Sequence, residues 1–482
     1  MESPLYADAC EKYEQEGLGK LPEALQRNSL DHYYLSVYPP LKGMQILDGE
    51  EVALPKYPDA MRNAYLHIPF CSGVCDFCSY FVTAVKPEKI ERIHHYLDLV
   101  QREIDYHRER TALEIGYLYV GGGTPSLIPP DTLKKFLDNL AEKSILAPEV
   151  QGTLELHPEF FRQRQIAQRF LDTLKEHGIN RVSLGFQSDS DEVLAGSNRR
   201  HGSNFFREAV DFLKANQFCF NVDLMYALPG LTRQQWEQTL HTVVACEPDS
   251  ISTYFLSVDP GTRTWKEVHS GKTVLPDHRE IQVQHIMAQT YLQQNGFHEL
   301  PSDFYSKVQG DPAKFTQQSL PSGSYSLPVG AGAYGFYDGT QFYNQFDLKK
   351  YEEKIAAGQS PIWRGHKLDT DNQLRRDIMF SFKNAPELSK QLFQEKYSTT
   401  PDGRFPAIFD LLIGQGLIRD NGSAFKLTPK GRLCVEEICS LFGDPGMLSK
   451  GDPARSKSED DKLEKHNYSP TLGRSPEPPA EK

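Results

Sequence analysis

The chain has 482 residues and a formal net charge of −12 at pH 7, from 65 acidic and 53 basic side chains. This acidic balance argues against a broad nucleic-acid-binding surface, which would be basic, so no nucleic-acid partner is expected. No stretch approaches the roughly 18 consecutive apolar residues that cross a bilayer. The first residues lack the basic and apolar regions of a secretory signal. The composition therefore predicts a cytoplasmic protein without a membrane span.

An α/β fold is predicted for the first half of the chain. Residues 1–60 are expected to form an N-terminal arm with one helical segment, Tyr6 to Glu16. From residue 61 to 265, short segments rich in β-branched and aromatic residues alternate with helix-like segments, which predicts a parallel sheet covered by crossover helices. The candidate strands are residues 64–68, 116–120, 152–156, 181–185, 220–225 and 250–254.

The alternating pattern ends near residue 265. Residues 266–385 are predicted to form an extension and linker that includes a helix from Leu275 to Phe297. Residues 386–443 contain two helical segments and then Asn421-Gly422, a hairpin signal, so a winged-helix-like domain is expected there. Residues 444–482 are rich in Lys, Glu, Ser and Pro and nearly lack apolar side chains, which predicts a disordered tail.

Three cysteines lie within eight residues: Cys71, Cys75 and Cys78 have the spacing C-x3-C-x2-C. A loop with this spacing can offer three thiolates to three irons of a [4Fe-4S] cluster and leave the fourth iron open to a substrate or cofactor. A structural zinc site usually pairs two C-x2-C units, and no second pair follows in this sequence. A disulfide framework would need an oxidising compartment. The spacing therefore favours a cluster over both alternatives.

The residues around these cysteines carry a family resemblance. The motif follows Tyr65-x-His67-Ile68-Pro69-Phe70 and has an aromatic residue, Phe77, before its last cysteine. It resembles the radical S-adenosylmethionine (SAM) superfamily, and more narrowly the anaerobic coproporphyrinogen III oxidase family with its methyltransferase, cyclopropanase and haem-degrading relatives. The resemblance implies a partial, open (β/α)6 barrel with ligands at the C-terminal strand ends. It also implies that SAM binds the open iron and yields a 5'-deoxyadenosyl radical, with Tyr65 and Phe77 at the cofactor site.

A glycine-rich turn and an acidic residue extend the resemblance. Gly121-Gly122-Gly123-Thr124-Pro125 follows a candidate strand, where glycine permits close backbone approach to a ligand. A triglycine alone is weak evidence, but here it resembles the GGGTP motif of the family, which implies that Gly122, Gly123 and Thr124 hold the methionyl part of SAM. Glu155 ends the next strand and matches the acidic residue that binds the ribose hydroxyls. The alternative for Glu155 is a solvated carboxylate.

Three later residues match positions that hold a second SAM in the coproporphyrinogen enzyme. They are Gln187, Arg199 and Asp223. Their chemistry suits the task, because arginine pairs with carboxylates through two parallel hydrogen bonds and aspartate accepts hydrogen bonds from an ammonium group. The alternative is that these side chains only connect the ends of neighbouring strands.

One departure from the resemblance bears on the reaction. The coproporphyrinogen enzyme has a further cysteine at the position of Tyr80. Its absence argues against porphyrinogen decarboxylation and is shared by the methyltransferase, cyclopropanase, haem-opening and haem-trafficking relatives. The 64 residues before Tyr65 favour a catalytic relative over a trafficking protein. The predicted reaction is transfer of a methyl or methylene carbon to a small-molecule substrate, with flavodoxin or ferredoxin as electron donor. The alternatives are oxidative decarboxylation or anaerobic modification of a porphyrin or haem, and haem binding for trafficking. No catalytic residue is assigned beyond the cofactor site.

Overall fold

The computed structural model describes residues 3–30, 37–41, 44–47, 61–86, 89–110, 112–199, 203–259, 261–300, 303–308, 326–337, 339–384 and 387–448. Within these ranges, no helix has both the length and the apolar composition needed to span a bilayer. Part of the predicted tail is helical, since Pro445–Leu448 forms one short turn. Residues 449–482 of that tail and residues 48–60 of the predicted arm lie outside the described residues.

The strands are numbered in chain order: β1 Gln45–Ile46, β2 Met61–Ile68, β3 Phe70–Cys71, β4 Thr83–Ala84, β5 Leu113–Gly122, β6 Leu146–Leu156, β7 Arg181–Gln187, β8 Cys219–Tyr226, β9 Ser250–Phe255, β10 His298–Leu300, β11 Phe304–Ser306, β12 Leu327–Val329, β13 Tyr334–Tyr337, β14 Thr340–Asn344, β15 Ile362–Lys367, β16 Glu387–Ser389, β17 Ile418–Asp420 and β18 Ala424–Leu427.

The helices are α1 Pro4–Gln15, α2 Glu91–Arg108, α3 Pro130–Glu142, α4 Arg164–Glu176, α5 Asp191–Gly196, α6 Ser203–Ala215, α7 Arg233–Ala245, α8 Arg263–His269, α9 His278–Gln294, α10 Leu348–Ala356, α11 Thr370–Asn384, α12 Lys390–Tyr397, α13 Pro401–Arg404, α14 Pro406–Gly414, α15 Pro429–Arg432, α16 Val435–Leu441 and α17 Pro445–Leu448.

A mainly parallel sheet forms the centre of the molecule. Its described strands lie in the order β10-β11-β9-β8-β7-β6-β5-β2-β12. Strands β2, β5, β6, β7, β8 and β9 run parallel to one another. They confirm the predicted α/β class and all six candidate strands. Later residues extend both edges, because β12 joins β2 in parallel and β11 joins β9 antiparallel. The domain boundaries predicted at residues 60, 265, 385 and 443 stay predictions.

Alternation along the strands separates the core from the barrel interior. In β7, the apolar residues Val182, Leu184 and Phe186 are fully buried, and the ring of Phe186 stacks on Phe206 of helix α6 at 3.8 Å between centroids. Because successive side chains point to opposite faces of a strand, the residues between them, such as Ser183, face the interior of the barrel. The same pattern therefore supplies both the helix-packing surface and a polar lumen.

Two examples show why the covering helices form where they do. Helix α4 buries Ala167, Phe170 and Leu171 together with Leu174, a spacing that places one apolar stripe against the sheet. Helix α7 begins at a capping box, in which the Thr232 side chain and the side chain at the third helical residue satisfy free backbone N–H groups at the helix start.

Two smaller sheets are formed mainly by strands from the second half of the chain. One has the order β1-β15-β14-β13, so it joins a strand of the N-terminal arm to residues 334–367. The other has the order β16-β18-β17, lies in the region predicted to be winged-helix-like, and packs against helices α11, α12, α14 and α15. The predicted hairpin turn lies between β17 and β18, with Gly422 in the left-handed region at φ 88°. Strand β16 was not predicted.

A buried arginine connects the N-terminal arm, the barrel and the C-terminal helices. The Nε of Arg27 donates to Glu437 Oε1 at 2.9 Å, while Nη1 donates to the Tyr226 hydroxyl at 2.6 Å and to Nδ1 of His285 at 2.7 Å. On the other side of its ring, His285 places Nε2 at 3.0 Å from Asp303 Oδ1. Every partner of this guanidinium is itself buried, so the network depends on the arginine charge.

We expect Arg27→Ala to lower the free energy of unfolding by about 3–5 kcal/mol, because it removes the guanidinium that pairs with the buried carboxylate of Glu437. Denaturant unfolding of the purified protein measures this change. The matched control is Arg110→Ala, since Arg110 pairs with Glu109 on the surface, where an ion pair contributes about 0–1 kcal/mol. Equal stabilities of the two variants would contradict a structural role for the network.

Candidate cofactor and cluster site

The three motif cysteines lie on a loop closed by a short strand pair. Strand β3 ends at Cys71 and pairs in parallel with β4, so Cys75 and Cys78 project from the loop between them. Two neighbouring barrel loops hold this segment by backbone hydrogen bonds. The Asp76 N–H donates to the Ser197 carbonyl, and the Thr264 N–H donates to the Asp76 carbonyl, each at 3.0 Å. The loop is thereby attached to the C-terminal end of the barrel.

Polar donors approach the sulfur atoms. Thr124 Oγ1 donates to Cys71 Sγ at 3.4 Å, and Arg199 Nη1 donates to Cys75 Sγ at 3.5 Å. Burial raises the pKa of the Cys71 thiol to about 11 and that of the Cys78 thiol to about 12, and the neighbouring cysteines add to both shifts. Donors beside three adjacent sulfurs fit a group that binds thiolates, because they stabilise negative charge on sulfur.

The arrangement differs from a site for a single metal ion. Among the described residues, no three His, Cys, Asp or Glu side chains converge to hold one ion. A cubic cluster does not need such convergence, because each thiolate binds a different iron. The donor set therefore fits a [4Fe-4S] cluster held by three cysteines better than a mononuclear centre.

The triglycine turn packs directly against the cysteine loop. The Gly123 N–H donates to the Ile68 carbonyl at 2.8 Å, and the Thr124 N–H donates to the Phe70 carbonyl at 2.7 Å. A Cβ at Gly123 would lie 2.5 Å from the Phe70 carbonyl oxygen, and one at Gly122 would lie 2.7 Å from the His67 ring. Gly122 also has φ 112°, a conformation open mainly to glycine. Both glycines are thus required for the close approach of two loops.

Glu155 lies at the lumen end of β6. The Tyr119 hydroxyl donates to its Oε1 at 2.8 Å, and the Gly122 N–H donates to its Oε2 at 3.1 Å. Burial raises the pKa of Glu155 to about 7, and the nearby charge of Asp223 contributes. Each oxygen keeps a lone pair for a further donor. The carboxylate is therefore placed and oriented for a diol, which fits the predicted ribose contact.

Tyr65 and Phe77 occupy different surroundings. The Tyr65 hydroxyl donates to Nδ1 of His67 at 2.8 Å, and Nε2 of His67 donates to the Phe81 carbonyl at 2.9 Å. Burial lowers the pKa of His67 to about 4, so the ring is neutral. Tyr65 therefore orients the His67 ring, which lies directly against Gly122 of the glycine turn. Phe77 is partly buried and packs against the core.

Gln187, Arg199 and Asp223 surround one backbone position, Gly185. A Cβ at Gly185 would lie 2.9 Å from Arg199 Nη2 and 3.4 Å from Gln187 Nε2. In the sheet register, Gly185 is paired with Asp223. Although Arg199 also donates to the Gly185 carbonyl, its Nε and Gln187 Oε1 are buried without a hydrogen-bond partner. Unsatisfied buried groups of this kind fit an additional polar ligand at this place.

Supporting residues that the sequence did not single out complete the lumen. Asp223 accepts hydrogen bonds from the Ser183 hydroxyl and the Asn221 amide, at 2.9 Å and 2.8 Å. The rings of Tyr65 and Tyr334 lie 5.5 Å apart. Period-two alternation could have indicated Ser183 and Asn221 as lumen residues. Tyr334 comes from a distant segment and carries no local signal.

The chain is similar to several known proteins. Residues 65–243 match the family model described as the radical SAM superfamily. The chain is 27% identical to the heme chaperone HemW of Bacillus subtilis (strain 168), over 79% of this chain and 99% of that protein. It is 24% identical to the oxygen-independent coproporphyrinogen III oxidase of Escherichia coli (strain K12), over 81% of this chain and 87% of that protein.

A third relative and a solved structure complete the comparison. The anaerobilin synthase of Escherichia coli O157:H7 is 25% identical, over 80% of this chain and 84% of that protein. The structure of coproporphyrinogen III oxidase (HemN) from Escherichia coli superposes with a TM-score of 0.71 at 23% identity, covering 86% of this chain and 96% of that one. This likeness shows a shared fold.

Residues 65–243 are a radical SAM domain, and the resemblance seen in the motifs is confirmed. Within that class, the chain is a homologue of the HemW heme chaperones and the oxygen-independent coproporphyrinogen III oxidases.

We expect Cys71→Ala, Cys75→Ala and Cys78→Ala each to abolish cluster assembly, because each removes one of three ligands. Anaerobically reconstituted wild-type protein should contain about four irons per chain, measured by iron analysis. Cys219→Ala is the control, since Cys219 is exposed at the start of β8 and should retain full iron. Full iron with SAM cleavage in any motif variant would contradict the assignment.

We expect SAM affinity to weaken as pH falls through about 7, because protonation of Glu155 removes the charged acceptor for the ribose. Glu155→Gln should lower affinity by about ten- to a hundredfold and remove that pH dependence. Equilibrium dialysis over a pH series measures both effects. Glu159→Gln is the control, because Glu159 pairs with Arg162 at the surface. An unchanged pH profile in Glu155→Gln would show that another group titrates.

Proposed function

We propose that this protein is a radical SAM enzyme that modifies a tetrapyrrole. The observation that carries the proposal is the extent of its likeness to three relatives. The names of two of them specify haem and coproporphyrinogen, which are tetrapyrroles, and the alignments cover 99% and 87% of those proteins. This reading replaces the methyl or methylene transfer favoured by the absence of a cysteine at Tyr80, since these relatives support the porphyrin and haem alternatives better.

The chain offers a place for each cofactor. Cys71, Cys75 and Cys78 would hold the cluster, and Glu155 with the triglycine turn would orient SAM above it. When bound, the cluster and SAM together supply a 5'-deoxyadenosyl radical. The residues of this chain contribute orientation and exclusion of water, as expected where the cofactor carries the chemistry. A small acidic electron carrier, flavodoxin or ferredoxin, would deliver the electron.

A second SAM beside the first is part of the proposal. Gln187 and Arg199 each keep a buried polar atom without a partner, and Asp223 faces the same space. An arginine can pair with the carboxylate of SAM, and an aspartate can pair with its ammonium group. Burial raises the pKa of Asp223, and a cationic ligand would stabilise its charged form.

A second candidate function is haem binding without tetrapyrrole chemistry. The alignment with the heme chaperone covers nearly the whole of that protein, 99% of its length. In this case the lumen would hold haem, and SAM would have a regulatory part. The two candidates differ in whether SAM consumption is coupled to a changed tetrapyrrole.

We expect reconstituted protein, given SAM and a reductant under anaerobic conditions, to form 5'-deoxyadenosine together with an altered porphyrin or haem, measured by liquid chromatography with mass spectrometry. Cys75→Ala is the control and should form neither product. Carbon dioxide among the products would identify decarboxylation. S-adenosylhomocysteine and 5'-deoxyadenosine formed with a different substrate, while the porphyrin or haem stays unaltered, would contradict the proposal in favour of carbon transfer. Tight haem binding without either product would favour the second candidate.

A further inference from the structure

Tyr80 is an exposed aromatic residue next to the cluster loop. It lies two residues after Cys78, and its side chain keeps 54% of its surface exposed. The Tyr80 hydroxyl lies within electrostatic range of Tyr334, Glu155 and Tyr254, whose side chains belong to the lumen. A side chain that lies near lumen residues and still keeps half of its surface exposed extends into the open space between them. Tyr80 therefore projects into the lumen.

The residues on either side of Tyr80 are held firmly. The Ser79 hydroxyl donates to the carboxyl group of Asp259, just after β9. Phe81 is 3% exposed, stacks with the His67 ring at 6.2 Å and meets Phe346 edge-on at 5.7 Å. Fixed neighbours orient the backbone of Tyr80, so its exposure is a consequence of a defined conformation.

The part of the lumen near Tyr80 is aromatic. Tyr65 lies between Tyr119 and Tyr334, with ring centroids 6.1 Å and 5.5 Å away, and Tyr334 continues to Tyr343 at 5.4 Å. Flat conjugated molecules bind between such surfaces, because offset stacking adds to the gain from burying apolar area. An uncovered ring close to an aromatic wall can form one side of a slot for such a molecule.

We propose that Tyr80 is a substrate-contacting residue whose ring stacks on the flat face of a haem or porphyrin in the lumen. The identity of the ligand rests on the proposed function. The contact itself rests on the exposure of Tyr80, the fixed residues on both sides and the aromatic wall nearby.

The test uses the full-length, cluster-reconstituted protein and two probes, iron protoporphyrin IX and metal-free coproporphyrin III. Absorbance and fluorescence titrations measure their dissociation constants for the wild type, Tyr80→Ala and Tyr80→Phe. Tyr106→Ala is the matched control, since Tyr106 lies on helix α2 with Arg110 over its ring at 3.6 Å. Iron content and SAM affinity are measured for every variant.

We expect Tyr80→Ala to weaken binding of both probes by about tenfold, because it removes the stacking ring. Tyr80→Phe and Tyr106→Ala should bind both probes like the wild type, and all variants should keep their iron and their SAM affinity. If Tyr80→Phe lost affinity for iron protoporphyrin IX but not for coproporphyrin III, the Tyr80 hydroxyl would be an iron ligand, and the stacking role would be overturned.

Other results also decide the proposal. Wild-type affinity of Tyr80→Ala for both probes would overturn it while leaving the proposed function intact. Loss of iron or of SAM affinity in Tyr80→Ala would overturn it by showing that the ring supports the cofactors. A wild-type protein that binds neither probe would overturn the proposed function and this inference together.

Discussion

Close packing between the triglycine turn and the cysteine loop is the contact on which the rest of the site depends. At Gly123 the backbone lies so near the Phe70 carbonyl that no side chain fits between them. Two backbone hydrogen bonds then link the turn to residues 68 and 70. Because Thr124 follows in the same turn, its hydroxyl reaches Cys71 Sγ. One steric requirement thus places a strand end, a cysteine and a hydrogen-bond donor together.

The second constraint is electrostatic. Glu155 and Asp223 are carboxylates enclosed by the barrel walls, and burial raises the pKa of both. Hydroxyl and amide donors from Tyr119, Ser183 and Asn221 partly replace the lost water. Removing carboxylates from water is costly unless a cation compensates them. SAM carries a sulfonium and an ammonium group, so the charge pattern of the lumen is complementary to it.

Segments outside the barrel support the site through buried polar groups. Glu103 on helix α2 accepts hydrogen bonds from the Gly330 N–H and from the Asn344 amide, each at 2.7 Å. It therefore holds the turn that leads into β13 and Tyr334. Arg27 performs the same task for the C-terminal helices through Glu437. These groups are buried and satisfied, which rigidifies the elements that they join.

The sequence by itself determined the local features: six strands followed from β-branched and aromatic segments, and the cluster loop followed from cysteine spacing. Both are recognisable because strand alternation and ligand spacing act between residues close in the chain. Only the tertiary structure decided that β12 joins β2, that Arg27 meets Glu437, and that Tyr334 lies beside Tyr65. Contacts between distant segments are set by packing and by desolvation of the assembled lumen, and a local pattern carries no record of them.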